Sequence, residues 1–498
     1  MKILLTTLNA KYSHTNLALK YLYMAGEGIC ENLEIKEFTI NNSRDYVFTE
    51  LVSGGYSVIC FSCYIWNIEQ TLDLCADLRK AQPKLKIILG GPEVSFDAEK
   101  FVLKHKFLDL VMVGEGENIF KELCQVFEGK LNIVQVKGII YRNEGKIFVN
   151  PPALPVNFEE VPFPYEMFPC EKNKRIYYES SRGCPYHCSY CISSLEKGVR
   201  ALSVSRVKED LGYFIHKDVD QVKFLDRTFN WDPNRAYDIF EYIIGMDTGT
   251  INFHFEICAD LLDERTLRLL QKARRGLFQF EIGIQSTNKR TLQVINRTSN
   301  LERLMKNIKD LTGFGNIITH VDLIAGLPFE EYQSFKNSFN QTYALGADNI
   351  QIGFLKFLKG TEIRNTAVAY QYEFMEKAPY EIISNECLSP NDICHLKQIE
   401  YVFELYYNRV GFKTTLKYVM AEYAKTPFDF FEGFSNYFYF KGFQHKSHKK
   451  EDLYRIFRKY MNTLASDKKL DEILEFDLES TMNFDAVKKF KRKGWNIL

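Results

Sequence analysis

The sequence predicts an α/β protein with three parts: a doubly wound parallel sheet, a partial barrel of βα units, and a mainly helical C-terminal region. Over most of the first 375 residues, short and continuous apolar runs alternate with stretches of helical periodicity. Such runs are typical of parallel strands that are covered on both faces. From residue 376 onward, the apolar residues follow helical spacing only, which indicates packed helices.

The composition fits a long globular chain with balanced charge. The 498 residues correspond to about three domains at about 150 residues each. With 40 Phe and 29 Tyr, the chain can fill several apolar cores. Lys and Arg together number 64, and Asp and Glu together also number 64. This balance excludes a net positive electrostatic field that would attract nucleic acid or an anionic membrane.

The distribution of apolar residues and cysteines bears on the compartment. No apolar stretch reaches about 18 residues, so we expect no membrane-spanning helix. The start MKILLTTLNAKYSHTN lacks the regions of a signal peptide. The 12 irregularly spaced cysteines in such a long chain predict the reducing cytoplasm.

Four apolar runs predict strands within the first 130 residues: KILLT, YSVICFS, KIILGG and LDLVMVG. Sheets of this kind bind ligands beyond the carboxyl ends of their strands. The candidate site residues are therefore Ser62, Cys63, Tyr64 and Trp66; Gly90, Gly91, Pro92 and Glu93; and Gly114, Glu115, Gly116 and Glu117. Glycine permits close backbone approach, although ordinary turns remain the alternative for each loop taken alone.

Residues 131–170 predict a hairpin followed by an extended linker. VKGIIYRNEGKIFVN contains two strand-like runs joined at residues 142–145, which is a hairpin signal. Five prolines follow between residues 151 and 164 and favour extended chain. We therefore predict domains at residues 1–130, 171–375 and 376–498, with residues 131–170 as hairpin and linker.

Three cysteines on one short loop carry the strongest chemical signal. Cys184, Cys188 and Cys191 stand in a C-x3-C-x2-C spacing within ESSRGCPYHCSYCIS. Thiolates favour iron–sulfur clusters or zinc. Structural zinc normally takes four ligands, and only His187 and Cys170 are near enough in sequence to supply a fourth. A cubane cluster with three protein ligands instead leaves one iron open.

This loop resembles the signature of radical S-adenosylmethionine (SAM) enzymes, in which the open iron of a [4Fe–4S] cluster binds SAM. Residues 1–125 resemble the cobalamin (B12)-binding domain that precedes the radical SAM domain in one large class, here with a C-terminal extension of undefined role. The resemblance implies a Rossmann-like cobalamin domain, a partial TIM-type (β/α)6 barrel, and a [4Fe–4S] cluster, SAM and cobalamin as cofactors. It makes the three cysteines the metal-binding and catalytic residues and places Tyr190 near the adenine.

Polar residues follow the later strand-like runs, where barrels carry their chemistry. By the same resemblance, Asp226 in FLDRTFN lies near the amino end of SAM, and Asp322 flanks the adenine. The resemblance also implies that Glu256, Gln285 and Ser286 face the ribose or the carboxylate of SAM. Gly283 belongs to the same cofactor-binding strand end as Gln285 and Ser286. Arg297 is a candidate carboxylate partner through its planar guanidinium, with a solvated helix end as the alternative. Glu281 could instead be a paired residue of the barrel interior.

The first strand departs from the resemblance at one point. Many cobalamin domains carry D-x-H-x-x-G, whose histidine binds cobalt, but residues 12–17 lack both the Asp and the Gly. A metal-bound histidine needs an orienting partner. We therefore expect His14 to have a loop role, cobalt to have no protein nitrogen ligand, and Tyr64 or Trp66 to pack against the corrin.

Together these features predict a cobalamin-dependent radical SAM enzyme that forms a 5′-deoxyadenosyl radical and methylates an unactivated carbon. Two alternatives remain open: oxidative rearrangement or cyclisation without methyl transfer, and a non-catalytic corrinoid or redox sensor. We expect an electron donor such as flavodoxin or ferredoxin. The sequence does not name the substrate: a small molecule, a lipid and a peptide all stay open, and no basic stripe with interleaved aromatic residues predicts a nucleic acid. The aromatic tract FDFFEGFSNYFYFKGF favours a helical core over a substrate lid.

Overall fold

The computed structural model describes residues 1–196, 198–217, 219–409 and 411–495. Its first sheet has seven strands in the order β2-β1-β3-β4-β5-β6-β7. They are β1 (Lys2–Asn9), β2 (Asn32–Thr39), β3 (Val58–Ser62), β4 (Lys86–Gly90), β5 (Leu110–Met112), β6 (Ile139–Asn143) and β7 (Lys146–Val149). The first five run parallel, and β6 and β7 are antiparallel.

Helices cover both faces of this sheet. They are α1 (Leu17–Gly26), α2 (Arg44–Ser53), α3 (Ile68–Ala81), α4 (Pro92–Ser95), α5 (Ala98–Lys104) and α6 (Gly116–Phe127). Along β1, Leu4 joins one apolar core while Ile3 and Leu5 join the other. Because both faces of the strand are buried, its apolar run is continuous, and the predicted doubly wound sheet is confirmed.

The predicted hairpin is confirmed, and it belongs to the first sheet. Glu144 and Gly145 both have positive φ, the conformation of a type I′ turn. β6 pairs antiparallel with β5, with Leu110 opposite Tyr141. The sequence placed this hairpin outside the first domain, because no sequence feature near a hairpin shows which sheet edge it joins. The domain boundaries themselves stay predictions.

A second sheet of six parallel strands follows the chain order. Its strands are β8 (Ile176–Tyr178), β11 (Gln221–Phe224), β12 (Asn252–Ile257), β13 (Phe278–Gln285), β14 (Ile318–Ala325) and β15 (Asn349–Phe354); between the first two lies a hairpin of β9 (Ser181–Cys184) and β10 (Gly198–Ala201). The helices are α7 (Val204–His216), α8 (Pro233–Met246), α9 (Glu264–Leu270), α10 (Lys289–Val294), α11 (Leu301–Phe314), α12 (Tyr332–Tyr343) and α13 (Glu362–Asn365). Parallel strands in chain order with intervening helices confirm the predicted partial barrel.

A short ribbon of β16 (Glu373–Phe374) and β17 (Ile382–Ser384) leads into the helical region. The helices are α14 (Pro390–Phe403), α15 (Lys413–Glu422), α16 (Pro427–Phe440), α17 (Lys450–Leu464), α18 (Lys468–Thr481) and α19 (Phe484–Lys493), with a π-helical turn at Glu404–Asn408. The aromatic tract forms α16, where Phe431, Phe434 and Phe438 are fully buried. The predicted helical core is confirmed. Across the described residues, we find no helix with the length and apolar character needed to cross a bilayer.

Candidate functional site

The cysteine loop lies between β9 and β10, at the carboxyl end of the barrel. Cys184 and Cys188 are buried and Cys191 is half-buried. Gly183 has φ +90°, and a Cβ there would lie 2.2 Å from the carbonyl oxygen of Gly198, so only glycine permits this hairpin. Ser189 fixes the loop on both sides, because its N–H donates to Ile295 (3.0 Å) and its carbonyl accepts from the N–H of Ile363 (3.0 Å).

The loop does not form a site for a single metal ion. Within the described ranges, no three His, Cys, Asp or Glu residues are arranged to hold one ion. His187 is exposed and joins no such group. An iron–sulfur cluster makes a different demand, because each cysteine thiolate binds a separate iron atom. Three thiolates on one loop suit such a cluster.

Arg297 lies against this loop and is not a solvated helix end. Its Nη2 donates to the carbonyl of Gly283 (2.7 Å), and its Nη1 is 3.9 Å from Sγ of Cys188. Burial raises the pKa of Cys188, and the guanidinium opposes that rise. A cation beside a thiol stabilises the thiolate, which is the form that binds iron. Tyr190 is half-buried beside Cys188 and Arg297, and burial raises its pKa.

Polar side chains of the barrel strands face its interior at three successive levels. At the lowest level, Gln221 donates to Asn252 (2.7 Å), and His320 is 3.0 Å from Gln279 and 3.1 Å from Asn349. At the middle level, Glu281 accepts from Lys223 (3.0 Å) and lies 3.0 Å from Nε2 of His254. The hydrogen bond with His254, followed by the effect of Lys223, lowers the pKa of Glu281 to about 2. Glu281 is therefore a paired residue of the interior.

The upper level, nearest the cysteine loop, is unpaired. Among the described residues, the buried atoms Asp322 Oδ1, Gln285 Oε1 and Arg297 Nε have no hydrogen-bond partner. Burial raises the pKa of Glu256 to about 7 and that of Asp322 to about 8. Native proteins rarely leave buried polar atoms unsatisfied, so the upper level is suited to a polar ligand.

Backbone geometry at β13 helps to build this level. Gly283 lies beside Asp322 in the strand register. Gln285 has φ +68°, a conformation that a non-glycine residue adopts only when its surroundings impose it. Its side chain folds back over Gly283, where a Cβ would lie 2.1 Å from Nε2 of Gln285. Glycine at position 283 therefore makes room for the Gln285 amide.

Two predicted SAM contacts already have protein partners. Asp226 is buried and accepts from Ser180 N (2.9 Å), Ser180 Oγ (2.6 Å) and Ser181 Oγ (2.6 Å). Ser286 is fully buried and donates to Glu330 (2.5 Å). Asp226 thus holds the start of β9, and the hydroxyl of Ser286 is directed at Glu330, which precedes α12. Their contact with SAM stays a prediction.

An aromatic platform lies where the order of the first sheet reverses, between β1 and β3. Tyr64 and Trp66 are stacked, with ring centroids 4.4 Å apart and an interplanar angle of 4°. Trp66 Nε1 donates to the carbonyl of Leu8 (3.2 Å), and Asn16 donates to the hydroxyl of Tyr64 (3.2 Å). Trp66 remains 44% exposed. A fixed, exposed ring at a topological switch point can pack against a flat ligand.

The glycines of the neighbouring loops serve different purposes. Gly91 has φ +105°, and a Cβ there would lie 2.6 Å from the carbonyl oxygen of Cys63. Cys63 N–H also donates to Gly90 (2.8 Å), so this glycine pair, with the buried residues Ser62 and Cys63, packs two strand ends together. Gly114 has φ +95°, and nothing lies within 4 Å of a Cβ built there. Of these positions, Gly114 is open to a ligand.

The glutamates of these loops bind the barrel. Glu93, next to Pro92, accepts from the hydroxyl of Tyr380 (2.8 Å) and lies 3.3 Å from Nζ of Lys359. Glu117 lies 2.6 Å from Nη2 of Arg182, and Glu115 pairs with Arg200. Sequence reasoning missed these contacts because Glu117 and Arg182 are 65 residues apart, and Glu93 and Tyr380 are 287 apart.

His14 lacks an orienting carboxylate. Its Nε2 is buried without a hydrogen-bond partner among the described residues, and its ring meets Tyr177 edge to face at 5.9 Å. Burial lowers the pKa of His14, and Arg175 adds to this effect. This environment supports the expectation that His14 does not bind cobalt, which stays a prediction.

Family models match three successive parts of the chain. They are described as B12 binding domain (residues 3–124), Radical SAM superfamily (residues 178–341) and Protein of unknown function (DUF4080) (residues 368–495). Residues 3–124 therefore match the B12-binding domain and residues 178–341 the radical SAM superfamily, in the order that the sequence predicted.

Curated relatives match part of the chain. An uncharacterized methyltransferase of Pyrococcus horikoshii is 28% identical over 57% of this chain and 63% of its own length. The cobalamin-dependent radical SAM methyltransferase TokK of Streptomyces tokunonensis is 25% identical over 58% of this chain and 45% of its own length. The hopanoid C-3 methylase of Methylococcus capsulatus is 26% identical over 59% of this chain and 58% of its own length. The chain thus spans about half the length of these relatives.

Solved structures share the fold. OxsB, a cobalamin-dependent SAM radical enzyme with aqua-cobalamin and SAM bound, has a TM-score of 0.67 and 16% identity, covering 99% of this chain and 84% of its own. The radical SAM methyltransferase TsrM of Kitasatospora setae, with cobalamin and a [4Fe–4S] cluster bound, has a TM-score of 0.60 and 15% identity, covering 79% and 81%. These likenesses confirm the predicted order of sheet, barrel and helical region.

Proposed function

We propose that this protein is a cobalamin-dependent radical SAM enzyme that methylates an unactivated carbon. One observation carries the proposal. The three-cysteine loop borders a level of the barrel whose buried acceptors and donor are unpaired among the described residues, and the segment that joins β5 to α6 in the B12-binding domain pairs with the hairpin that carries this loop. Sites for two cofactors therefore adjoin one another.

The residues present fit a [4Fe–4S] cluster with SAM. Cys184, Cys188 and Cys191 would hold three irons and leave the fourth to SAM. The unpaired Nε of Arg297 suits the SAM carboxylate, because a guanidinium binds carboxylates with directed hydrogen bonds. The unpaired oxygens of Gln285 and Asp322 suit the ammonium group and the ribose hydroxyls. Tyr190 would lie against the adenine.

The first sheet fits cobalamin. The exposed face of Trp66, stacked on Tyr64, suits the flat corrin, and the open side of Gly114 permits close approach of its edge. His14, whose ring has no orienting carboxylate, would not serve as a ligand to the cobalt of bound cobalamin.

The chain's own residues bind, orient and exclude water. When bound, the cluster supplies the electron for SAM cleavage and cobalamin supplies the methyl group. The guanidinium of Arg297 opposes the rise in pKa that burial causes at Cys188, and so favours its thiolate form. Glu256 and Asp322, with pKa values of about 7 and 8, carry protons at neutral pH for part of the time and can donate hydrogen bonds to a bound ligand. The paired levels below them close the barrel interior and keep bulk water from the reacting atoms.

Oxidative rearrangement or cyclisation with the same cofactors is the second candidate, because both cofactor sites would be needed there too. A non-catalytic corrinoid or redox sensor is less well supported. A sensor needs the cluster or corrinoid site, but it has no use for the unpaired upper level of the barrel.

We further propose the cytoplasm as the compartment and a flavodoxin or ferredoxin as the electron donor. All 12 cysteines are free thiols, which supports a reducing environment. The proposed substrate is a small molecule, a lipid or a peptide. The proposed domains are residues 1–130, 171–375 and 376–498, joined by the hairpin and linker of residues 131–170.

Product analysis under anaerobic, reducing conditions tests the proposal. Extracts of a deletion strain, compared with the parent by metabolite profiling, supply the substrate. A methylase should form both 5′-deoxyadenosine and S-adenosylhomocysteine. Formation of 5′-deoxyadenosine without S-adenosylhomocysteine would favour rearrangement or cyclisation over methylation. Neither product with any substrate class would overturn the enzyme proposal in favour of a sensor.

A further inference from the structure

Arg182 stands where the cysteine hairpin meets the B12-binding domain. It lies on β9, two residues before Cys184, and its side chain is only 10% exposed. Nη2 is 2.6 Å from Glu117 and 3.0 Å from Glu179, and Nη1 is 3.6 Å from Glu115. Its guanidinium also lies over the ring of Phe158, 4.7 Å from the centroid.

A second arginine strengthens the same contact. Arg200 on β10 is directly opposite Arg182 in the hairpin register. It pairs with Glu115 and donates to the carbonyl of Val156 (3.0 Å), while Glu115 accepts from Val156 N–H (2.7 Å). Two arginines of the cysteine hairpin therefore hold two glutamates where the loop after β5 enters α6: Glu115, which caps the helix, and Glu117, in its first turn.

That loop has two sides. Its glutamates face the cysteine hairpin, while Gly114 has a positive φ and an open Cβ direction, which leaves backbone accessible at the strand end. An exposed ion pair would not fix such an arrangement, because water competes for both charges. If the two domains moved apart here, the buried charges of Arg182 and Glu117 would lose their partners. The ion pairs therefore strongly favour one arrangement of the hairpin against the B12-binding domain.

We propose that Arg182 is a positioning residue that sets the distance between the two cofactor sites. It docks the β5–α6 loop on the hairpin that leads into the cysteine loop, and it does not touch the reacting atoms. The inference rests on the proposed function. Radical formation and methyl delivery at one carbon need both cofactors within reach of it, and a displacement of about 1 Å can lower such a rate about 100-fold.

A separate contact keeps the domains together when Arg182 is changed. Glu93 binds Lys359 and Tyr380 on another part of the interface. Phe96 lies against Gly360, where a Cβ would be 2.4 Å from its ring. Loss of the Arg182 contact should therefore let the B12-binding domain pivot about this second contact, without detaching it.

Pulsed electron paramagnetic resonance tests the inference on the full chain, loaded anaerobically with iron, sulfide and cobalamin. It measures the distance between the reduced cluster and Co(II). We expect a narrow distribution in the parent and, in both Arg182→Gln and Glu117→Gln, a mean shifted by about 1 Å or more with a broader spread. Arg182→Lys keeps the positive charge that faces Glu117, Glu179 and Glu115 and should retain more of the parent distribution than Arg182→Gln.

Arg274→Gln is the matched control. Arg274 pairs with Asp247 (2.8 Å) away from the B12-binding domain, so the distance should stay at the parent value. An unchanged distribution in both Arg182→Gln and Glu117→Gln, with both cofactors bound, would overturn the inference. If Arg182→Gln does not fold, Glu117→Gln alone decides. A parent that binds neither cluster nor cobalamin would instead contradict the proposed function.

Discussion

Two regions of the molecule contain buried carboxylates, which are paired with cations in one region and lack a partner in the other. At the strand ends of the first sheet, Glu93, Glu115 and Glu117 are each paired with a cation of the barrel. At the upper level of the barrel, an oxygen of Asp322 has no partner among the described residues, and burial raises its pKa to about 8. Paired carboxylates fix one domain on another, whereas an unpaired buried carboxylate marks a place suited to a ligand.

The largest expected effect is at the cysteine loop, which borders the unpaired level. Replacing Cys184, Cys188 or Cys191 by Ala should abolish cluster binding and SAM cleavage, because a cubane cluster needs all three thiolates. Iron content per chain and 5′-deoxyadenosine formation are the measurements. Cys170→Ala, which alters a half-buried thiol outside the loop, is the control. Retained iron and activity in any of the three loop variants would refute the ligand assignment.

A smaller effect, on SAM affinity, should distinguish the unpaired carboxylate of Asp322 from the paired carboxylate of Glu93. Asp322→Ala should weaken SAM binding about 10-fold to 100-fold, because it removes one hydrogen bond to a charged or polar ligand group, worth about 1.5–3 kcal/mol. Glu93→Ala should leave SAM affinity at the parent level. Calorimetric titration of the cluster-loaded protein measures both. Equal losses in the two variants would remove the distinction on which the SAM site is assigned.

The middle level of the barrel should affect stability and not binding. Removing the charge in Glu281→Gln leaves the half-buried Lys223 without its partner, which should lower the free energy of unfolding by about 2 kcal/mol, as for a hydrogen bond to a charged group. Because the pKa of Glu281 is lowered to about 2, its contribution is present above the pKa of the unfolded state and is lost as pH falls towards 2. Denaturant titrations at pH 7 and pH 3 measure this. Lys306→Gln, in an exposed pair with Asp310, is the control, and a Glu281→Gln variant as stable as the parent at pH 7 would contradict the pairing.

The smallest effect is expected at His14. His14→Ala should leave the Co(II) electron paramagnetic resonance spectrum of bound cobalamin unchanged, because the ring has no orienting carboxylate to hold it as a ligand. An axial nitrogen would split each cobalt line into three. A triplet pattern in the parent that disappears in His14→Ala would show that His14 binds cobalt.

The parts that sequence could predict are those with a local signal. The continuous apolar runs predicted the buried parallel strands, and the burial of both Leu4 and Leu5 on opposite faces of β1 explains why. The C-x3-C-x2-C spacing predicted the cysteine loop. The aromatic tract predicted the core helix α16, because residues such as Phe434 recur at helical spacing and are buried.

The parts that sequence could not predict depend on distant contacts. Contacts with other segments decide where the side chains at the end of β13 point: the Gln285 amide folds back over Gly283, whereas Ser286 donates to Glu330. Arg182 and Glu117 lie 65 residues apart, and nothing near either residue indicates the other. The strand-end glutamates were therefore interpreted as ligand residues, whereas their side chains bind the barrel.

The most direct test of the two-cofactor account is the ligand content of the anaerobically purified full chain. Metal analysis by mass spectrometry, with the absorption spectrum of the bound corrinoid, gives iron, zinc and cobalt per chain. The account predicts about four irons, as in a [4Fe–4S] cluster, together with about one cobalt per chain held as cobalamin. Stoichiometric zinc without iron, or a loaded cluster with no capacity to bind cobalamin, would contradict it.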